Sequence, residues 1–163
     1  VTGTTFVAKR EIASWPFIGF CAKCLETLFI GRNDLRDVID VKNKVGEMLS
    51  AGYGVHIFAE GGISQDLRLK PFKPALLDAA VRHALPVHYA AITYRTPEDS
   101  PPPSKVVAWL EGKSFVEHFF DLLASRGFDV EIRFGNPPLY GKCRKELASR
   151  LTAEVGALYQ PIP

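Results

Sequence analysis

Short apolar runs alternate along the chain with longer segments whose apolar residues recur every three or four positions. The short runs have the length of buried strands, and the longer segments have the spacing of amphipathic helices. The predicted strands are 4–8, 27–30, 55–59, 86–94, 106–110 and 130–134. The predicted helices are 12–25, 35–50, 74–84, 114–125 and 144–159. This alternation predicts an α/β fold with a mainly parallel central sheet and helices on both faces.

Two segments have no periodic pattern. Residues 61–71 begin with two glycines and end in proline, and residues 95–105 contain the run Pro101-Pro-Pro103. Glycine and proline are the strongest local signals for turns and loops, so we expect both segments to be irregular. The strands that follow the proline-rich segment can lie antiparallel at an edge of the sheet.

Composition places the chain among ordinary globular domains. It has 163 residues, of which 47% are hydrophobic and 23% charged, enough for one domain with a core. The net charge of +2 gives no strong nucleic-acid signal, so we expect no nucleic-acid partner. No apolar run approaches the roughly 20 residues that cross a bilayer. Because the sequence starts at Val1 without a signal-peptide pattern, we expect a fragment whose membrane anchor is upstream or is a surface patch.

Cys21 and Cys24 have a C-x-x-C spacing, and Cys143 stands alone. A structural zinc site would need two further ligands, and no second pair exists in the sequence. Free cysteine is often simply buried, so we expect Cys21 and Cys24 to be small core residues on one helix face. We therefore expect no metal site.

The stretch from Val55 to Ser64 carries the most informative chemistry. An apolar run ends at Glu60, which is followed by Gly61 and Gly62. Open α/β sheets bind their ligands at the carboxyl ends of strands, and glycines allow the backbone to approach a ligand closely. The alternative is a glycine turn beside a solvated acid.

These residues resemble a block of the glycerolipid acyltransferases, the lysophosphatidic acid acyltransferase family. Phe58-Ala-Glu-Gly-Gly-Ile-Ser64 is similar to the family's Phe-Pro-Glu-Gly-Thr-x-Ser, with Ala59 and Gly62 as departures. The other matches, spread in the family's order over residues 4 to 94, are Phe6-Val-Ala-Lys9 with Pro16-Phe-Ile-Gly19, Phe29-Ile-Gly-Arg32 and Leu85-Pro-Val87. The resemblance implies a glycerol-3-phosphate acyltransferase-like fold.

Catalysis in this family is implied to use a His-x-x-x-x-Asp block. None of the four histidines has an aspartate at the fifth position after it. The resemblance therefore implies that residues 1–163 form a single acyltransferase domain without the N-terminal part that carries the catalytic pair. We assign no role to His56 and His88, which lie in predicted strands, and we expect His83 and His118 to be exposed on helices.

The resemblance implies that the acceptor-binding half is present. Arg32 would hold a phosphate through two parallel hydrogen bonds, although it could also be a surface arginine on a turn. Glu60 would accept hydrogen bonds from acceptor hydroxyls, and the amides of Gly61 and Gly62 could face an oxyanion or phosphate. The other substrate-binding candidates are Lys9, Ser64 and Lys73.

The implied reaction transfers a fatty acyl group from acyl-coenzyme A or acyl carrier protein to the free hydroxyl of a lysophospholipid. Among the possible acceptors, the resemblance points first to lysophosphatidic acid, and so to phospholipid biosynthesis. It further implies a membrane-associated protein at the cytoplasmic face, and no cofactor besides the donor substrate. One alternative is a non-catalytic lipid-binding or scaffold protein. Another is an acyltransferase for a different lysolipid such as a lyso-aminolipid, because Ala59 and Gly62 leave the acceptor's identity open.

Overall fold

A computed structural model describes residues 3–31, 35–62, 64, 68–110 and 112–160. The chain divides into two compact units. The first consists of Val1–Ala59, Lys73–Pro86 and Tyr140–Ala148, and the second of Glu60–Phe72, Val87–Leu139 and Ser149–Pro163. The predicted single-domain organisation stays a prediction.

The first unit is built on a three-stranded parallel sheet of β1 (Thr4–Lys9), β2 (Leu28–Ile30) and β3 (Gly54–His56), in the order β2-β1-β3. The register pairs Lys9 with Ile30 and Phe6 with His56. Because the strands are parallel, their carboxyl ends lie at one edge of this sheet. Gly31 follows β2 at that edge.

Helices pack on this sheet through small and branched apolar side chains. They are α2 (Leu35–Ser50) and α3 (Asp78–Arg82). The first unit also contains α1 (Ile18–Cys24), which contacts the 3-10 turn Arg10–Ser14, and a second 3-10 turn at Ala75–Leu77. The core cluster joins Val7 of β1 to Val41 and Val45 of α2 and to Ala79 of α3. The apolar spacing that predicted residues 35–50 as a helix is therefore the buried stripe of α2.

The second unit contains an antiparallel pair, β4 (Ala90–Arg95) and β5 (Asp129–Phe134), with six residue pairs from Ala90↔Phe134 to Arg95↔Asp129. Two helices lie between these strands in sequence, α4 (Pro103–Val106) and α5 (Phe115–Ala124). The last helix, α6 (Arg144–Leu158), begins in the first unit and continues into the second.

The α/β class and the mainly parallel sheet are confirmed, and β5 is antiparallel as the sequence allowed. Three element predictions need correction. Residues 106–110 form no strand, because α4 starts within the proline-rich segment and ends at Val106. The helix predicted at 12–25 is divided at Phe17, whose φ is 60°. The strand predicted at 55–59 ends at His56.

Several expectations about cysteines and histidines are also wrong. Cys21 is half-buried and Cys24 is exposed, so they are not a core pair. Cys143 is exposed before α6, where hydrogen bonds from the backbone N–H groups of Glu146 and Lys145 lower the pKa of its thiol. His118 is buried, and its ring stacks on Trp109 at 6.1 Å, because it lies on the inner face of α5. Of the other histidines, His83 is exposed as predicted, and His56 and His88 are exposed as well.

Candidate acceptor-binding site

Lys9 and Gly31 are neighbours at the carboxyl edge of the parallel sheet. Lys9 ends β1 and is paired in register with Ile30, the residue before Gly31. The Lys9 side chain is exposed, and its ammonium forms an ion pair with Glu11 at 2.9 Å. The edge therefore carries a solvent-accessible cation that is paired with a carboxylate.

The carboxylate of Asp37 anchors the chain as it leaves β2. The side chain of Asp37 is only 12% exposed, and one of its oxygens forms an ion pair with the Arg10 guanidinium. The same oxygen accepts a hydrogen bond from the backbone N–H of Gly31 at 3.1 Å. A Cβ atom at position 31 would collide with this oxygen, so a larger residue there would have to displace the Asp37 carboxylate. Asp37 thus holds both the Gly31 backbone and the Arg10 side chain against the first turn of α2.

The sequence did not single out Arg10 or Asp37 as site residues. Asp37 is an acid in the first turn of α2, where a negative charge is stabilised by the helix dipole. That position, directly after the Phe29-Ile-Gly-Arg32 match, is the signal that could have identified it. Arg32 itself lies outside the described residues, and its proposed phosphate contact stays a prediction.

A cleft of about 290 Å³ lies in the first unit between β2 and α2. Its wall contains side chains of both charge signs. The lining residues are Arg10, Thr27, Leu28, Phe29, Asp37, Asp40, Val41 and Lys44. Asp40 and Lys44 are one helical turn apart on α2, so the cleft offers a carboxylate and an ammonium besides the Arg10–Asp37 pair. Such a cleft is chemically suited to a small polar group that carries charge.

Glu60 is held in place by its own loop. The residue is half-buried, and its Oε2 accepts a hydrogen bond from the backbone N–H of Lys70 at 2.9 Å. Gly61 has a φ of 67°, a left-handed conformation that favours glycine. This hydrogen bond fixes the direction of the Glu60 carboxylate. The carboxylate can still accept further hydrogen bonds, because its two oxygens have about four acceptor sites in all. Its contact with an acceptor hydroxyl stays a prediction.

The other predicted substrate-binding residues differ in how exposed they are. Gly62 and Ser64 are half-buried, and they belong with Glu60 and Gly61 to the second unit. Lys73 has an exposed side chain, while its backbone N–H donates to the carbonyl of Ala59 at 2.7 Å in the first unit. The structure gives Lys73 a backbone role at the base of the loop, and a ligand role for its ammonium stays a prediction.

Within the described ranges, no group of three or more histidine, cysteine, aspartate or glutamate side chains could hold a metal ion. His56 is exposed on β3 and stacks on Phe6 with 5.0 Å between ring centroids. Among the helices of the described residues, none combines the length and apolar character needed to cross a bilayer.

The first unit is an α/β arrangement whose parallel sheet carries charged side chains at its carboxyl edge. A family model described as Acyltransferase matches residues 2–93, which is more than half of the chain. The chain belongs to this acyltransferase family, and the family predicted from the four sequence blocks is confirmed.

Two kinds of curated relatives are similar to the chain. A 1-acyl-sn-glycerol-3-phosphate acyltransferase of Neisseria gonorrhoeae is 38% identical over 91 residues, covering 56% of this chain and 36% of that enzyme. A lyso-ornithine lipid O-acyltransferase of Brucella abortus is 31% identical over 168 residues, covering 96% of this chain and 63% of that enzyme. A second one, from Rhodobacter capsulatus, is 31% identical and covers 92% of the chain and 56% of the enzyme.

A solved structure supports the fold. The 1-acyl-sn-glycerophosphate acyltransferase PlsC from Thermotoga maritima matches with a TM-score of 0.62 and 19% identity, over 94% of this chain and 54% of that one. The predicted acyltransferase-like fold is therefore confirmed. The chain spans about a third to just under two thirds of the length of the relatives described here.

Proposed function

We propose that the protein containing this chain transfers an acyl group from a thioester donor to the free hydroxyl of a lysolipid. The observation that carries this proposal is the match of residues 2–93 to the acyltransferase family. The relatives named above take lysophosphatidic acid or lyso-ornithine lipid as acceptors, by their names. Both the acyl-coenzyme A and the acyl carrier protein form of the donor fit the proposal.

The chain would supply the acceptor-binding part of this reaction. Lys9 and Arg32 would provide positive charge for the anionic head group, and Asp37 would hold the backbone before Arg32 in position. Glu60 would accept a hydrogen bond from an acceptor hydroxyl. A general base, such as a histidine oriented by a carboxylate, must remove the proton from the attacking hydroxyl. No histidine in these 163 residues has the family's aspartate spacing, so we expect another segment to supply the base.

A second acceptor competes with lysophosphatidic acid. Four relatives named lyso-ornithine lipid O-acyltransferase match 88% to 96% of this chain. The relatives named 1-acyl-sn-glycerol-3-phosphate acyltransferase match 50% to 56% of it. The longer matches include the segment that carries β5 and α6, and they favour lyso-ornithine lipid as the second candidate.

The proposal also implies a location. The acceptor is an amphiphile that resides in a bilayer, whereas a coenzyme A or carrier-protein thioester is soluble. The reaction would therefore take place at a membrane surface, and we propose the cytoplasmic face, where such donors are available.

The test is an acylation assay of the full-length protein with each acceptor in turn. A radiolabelled acyl thioester is mixed with lysophosphatidic acid or with lyso-ornithine lipid in detergent, and the lipid product is separated. We expect one acceptor to be acylated much faster than the other. If the full-length protein binds a lysolipid but acylates neither acceptor under conditions where an active relative does, the non-catalytic lipid-binding alternative replaces the proposal.

A further inference from the structure

One face of the β4–β5 pair in the second unit is apolar and exposed. Val130, Ile132 and Phe134 alternate along β5 and therefore point to the same side of the sheet. All three side chains are exposed. Their cross-strand partners on β4 are Tyr94, Ile92 and Ala90. The register thus joins six apolar residues into one surface, which we call the β4–β5 face.

The opposite face of the pair is more polar, yet it is the buried one. Ala91 and Thr93 are buried there. On the same face, the Glu131 carboxylate accepts hydrogen bonds from Arg95 at 3.1 Å and from Arg133 at 2.8 Å. An antiparallel sheet normally turns its apolar face to the core and its polar face to solvent. The reversed arrangement leaves the β4–β5 face in need of a covering surface.

The helix α5 carries a second exposed apolar surface. Four of its apolar residues are exposed and recur at the spacing of neighbours on one side of a helix. They are Val116, Phe119, Phe120 and Leu123, which we call the α5 face. Another side of the helix is already packed, because His118 is buried and stacks on Trp109. A helix that is apolar around most of its circumference is normally buried on all those sides.

A ring contact links the two faces. Phe128 lies between α5 and β5 in sequence, and its ring meets Tyr94 of the β4–β5 face edge to face, with 6.1 Å between the centroids. The chain therefore leaves α5 on the side of the sheet that carries the apolar residues. Both faces can thus meet the same partner.

The size of the combined surface fits a second protein chain. Seven residues of the two faces are between 42% and 77% exposed, and three of them are phenylalanines. Because a buried aromatic side chain contributes roughly 150–250 Å², these seven residues present on the order of 800 Å². A stable protein interface needs about 800 Å² from each partner. The two faces together reach this size, whereas either face alone does not.

The charges beside the α5 face disfavour a bilayer as the covering surface. The polar side of α5 carries the carboxylates of Glu117 and Asp121, and the Lys113 ammonium is paired with Asp121 at 2.6 Å. Helices that lie in a lipid surface instead carry lysine and arginine on their polar side, where they meet anionic head groups. Neither apolar face contains a charged residue, which is typical of the centre of a protein interface.

We propose that the second unit forms a homodimer in which the α5 face of each copy packs on the β4–β5 face of its partner. Both faces are exposed within one chain, so α5 does not cover the sheet of its own copy and a partner's helix has access to it. The contact is reciprocal, as a two-fold axis requires. It therefore buries both faces of both copies at once.

Disulfide formation between two copies of the full-length protein tests this contact. Cys21, Cys24 and Cys143 are first replaced by serine. Two copies with different tags are then expressed together, one with Phe120→Cys and the other with Ile132→Cys. Oxidation should join both tags in one product. Asp121→Cys combined with Ile132→Cys is the matched control, because Asp121 lies on the polar side of the same helix. This control should give little product, since a disulfide needs Cα atoms within about 7 Å.

A mass measurement gives an independent result. The full-length protein in a non-ionic detergent should have the mass of a dimer by light scattering. Phe120→Glu and Ile132→Glu should each shift it to the monomer, because an unpaired carboxylate is costly in an apolar interface. Asp121→Ala should remain a dimer.

Four outcomes would overturn the proposal. The first is a monomeric unchanged protein, and the second is equal disulfide formation through Asp121→Cys. The third is a monomer in which Phe120→Cys resists a water-soluble maleimide, which would assign the covering role to another segment of the full-length protein. The fourth is a monomer whose Phe120→Trp fluorescence, with Trp15 and Trp109 replaced by phenylalanine, is quenched by brominated lipid, which would assign that role to the bilayer.

Discussion

The backbone N–H of Gly31 donates a hydrogen bond to the carboxylate of Asp37 at 3.1 Å. This bond joins the end of β2 to the first turn of α2 across the segment that contains Arg32. An acid on a helix therefore holds the backbone of Gly31, the residue before Arg32, whose acceptor contact stays a prediction.

Replacement of Asp37 should weaken acceptor binding without removing a ligand contact. In the full-length enzyme, Asp37→Ala leaves the Gly31 N–H and the Arg10 guanidinium without their shared acceptor. Loss of a hydrogen bond to a charged group costs about 1.5–3 kcal/mol. We expect part of this to appear as a raised acceptor KM and part as lower stability. Asp40→Ala, one turn along α2, is the control, and an equal rise in KM there would contradict the positioning role.

Substitutions of Arg32 should show whether acceptor binding needs only a positive charge at this position or the planar guanidinium of arginine. If Arg32 grips an anionic head group, Arg32→Ala should raise the acceptor KM roughly ten- to hundredfold, with little change in the donor KM. Arg32→Lys should restore the interaction only partly, because lysine offers a point charge. Steady-state kinetics with each substrate varied in turn measures both effects. An unchanged acceptor KM in a folded Arg32→Ala protein would leave Arg32 as a turn residue.

Glu60 holds its loop, and one pair of variants can show whether it also binds an acceptor hydroxyl. Glu60→Gln keeps an oxygen that can accept the hydrogen bond from the Lys70 N–H, whereas Glu60→Ala removes it. If Glu60 also binds an acceptor hydroxyl as a charged acceptor, Glu60→Gln should raise the acceptor KM by about tenfold at nearly unchanged stability. Thermal unfolding and acceptor kinetics, measured on both variants, separate the roles. A Gln variant with normal kinetics would restrict Glu60 to holding its loop.

Asp78 should make the first unit sensitive to acid. Its carboxylate, with a side chain 18% exposed, forms ion pairs with Lys42 at 2.9 Å, with Arg144 at 3.2 Å and with Arg82. The hydrogen bond from Lys42 is the largest cause that holds the Asp78 pKa below its ordinary value of 3.8, against the opposing effect of burial. These contacts join α2 and the start of α6 to α3.

Because the folded-state pKa is lowered, the stabilisation by Asp78 is fully present above the unfolded pKa near 3.8. It is lost as the pH falls through the lower folded-state value. Asp78→Asn should lower the free energy of unfolding by about 1.5–3 kcal/mol at neutral pH. Urea titrations of both proteins should converge at strongly acidic pH. A difference that persisted there would assign the effect to packing of the side chain and not to its charge.

The sequence was most informative where one local rule determined the element. The helix predicted at 114–125 is α5, because Ser114 accepts a hydrogen bond from the Glu117 N–H while the Glu117 carboxylate accepts one from the Ser114 N–H. The sequence failed where backbone geometry opposed the apolar pattern. Apolar residues continue from 12 to 25, yet the contact of Gly19 with the preceding turn divides the helix at Phe17.

The candidate site shows the same division. Glu60 could be proposed as a site residue because an acid and two glycines follow an apolar run, which is a local pattern, and its ligand role stays a prediction. The ion pair of Arg10 with Asp37 was not, because it joins residues of two different elements and depends on how α2 packs against β2. An ion pair between residues far apart in sequence leaves no local pattern in a single sequence. Such a pair is therefore harder to predict than a candidate residue that lies in a short motif.

The central place of β1 has a consequence for how the chain is made. Thr4 of β1 pairs with Gly54 of β3, whereas Val7 pairs with Leu28 of β2. During synthesis β2 leaves the ribosome well before β3. Until β3 has been made, one edge of β1 therefore has no partner strand. Exposed strand edges are sites of aggregation, and closure of a long loop delays the final pairing. A ribosome that pauses between α2 and β3 would hold the protein at its most aggregation-prone stage, and slow codons placed there should lower the soluble yield.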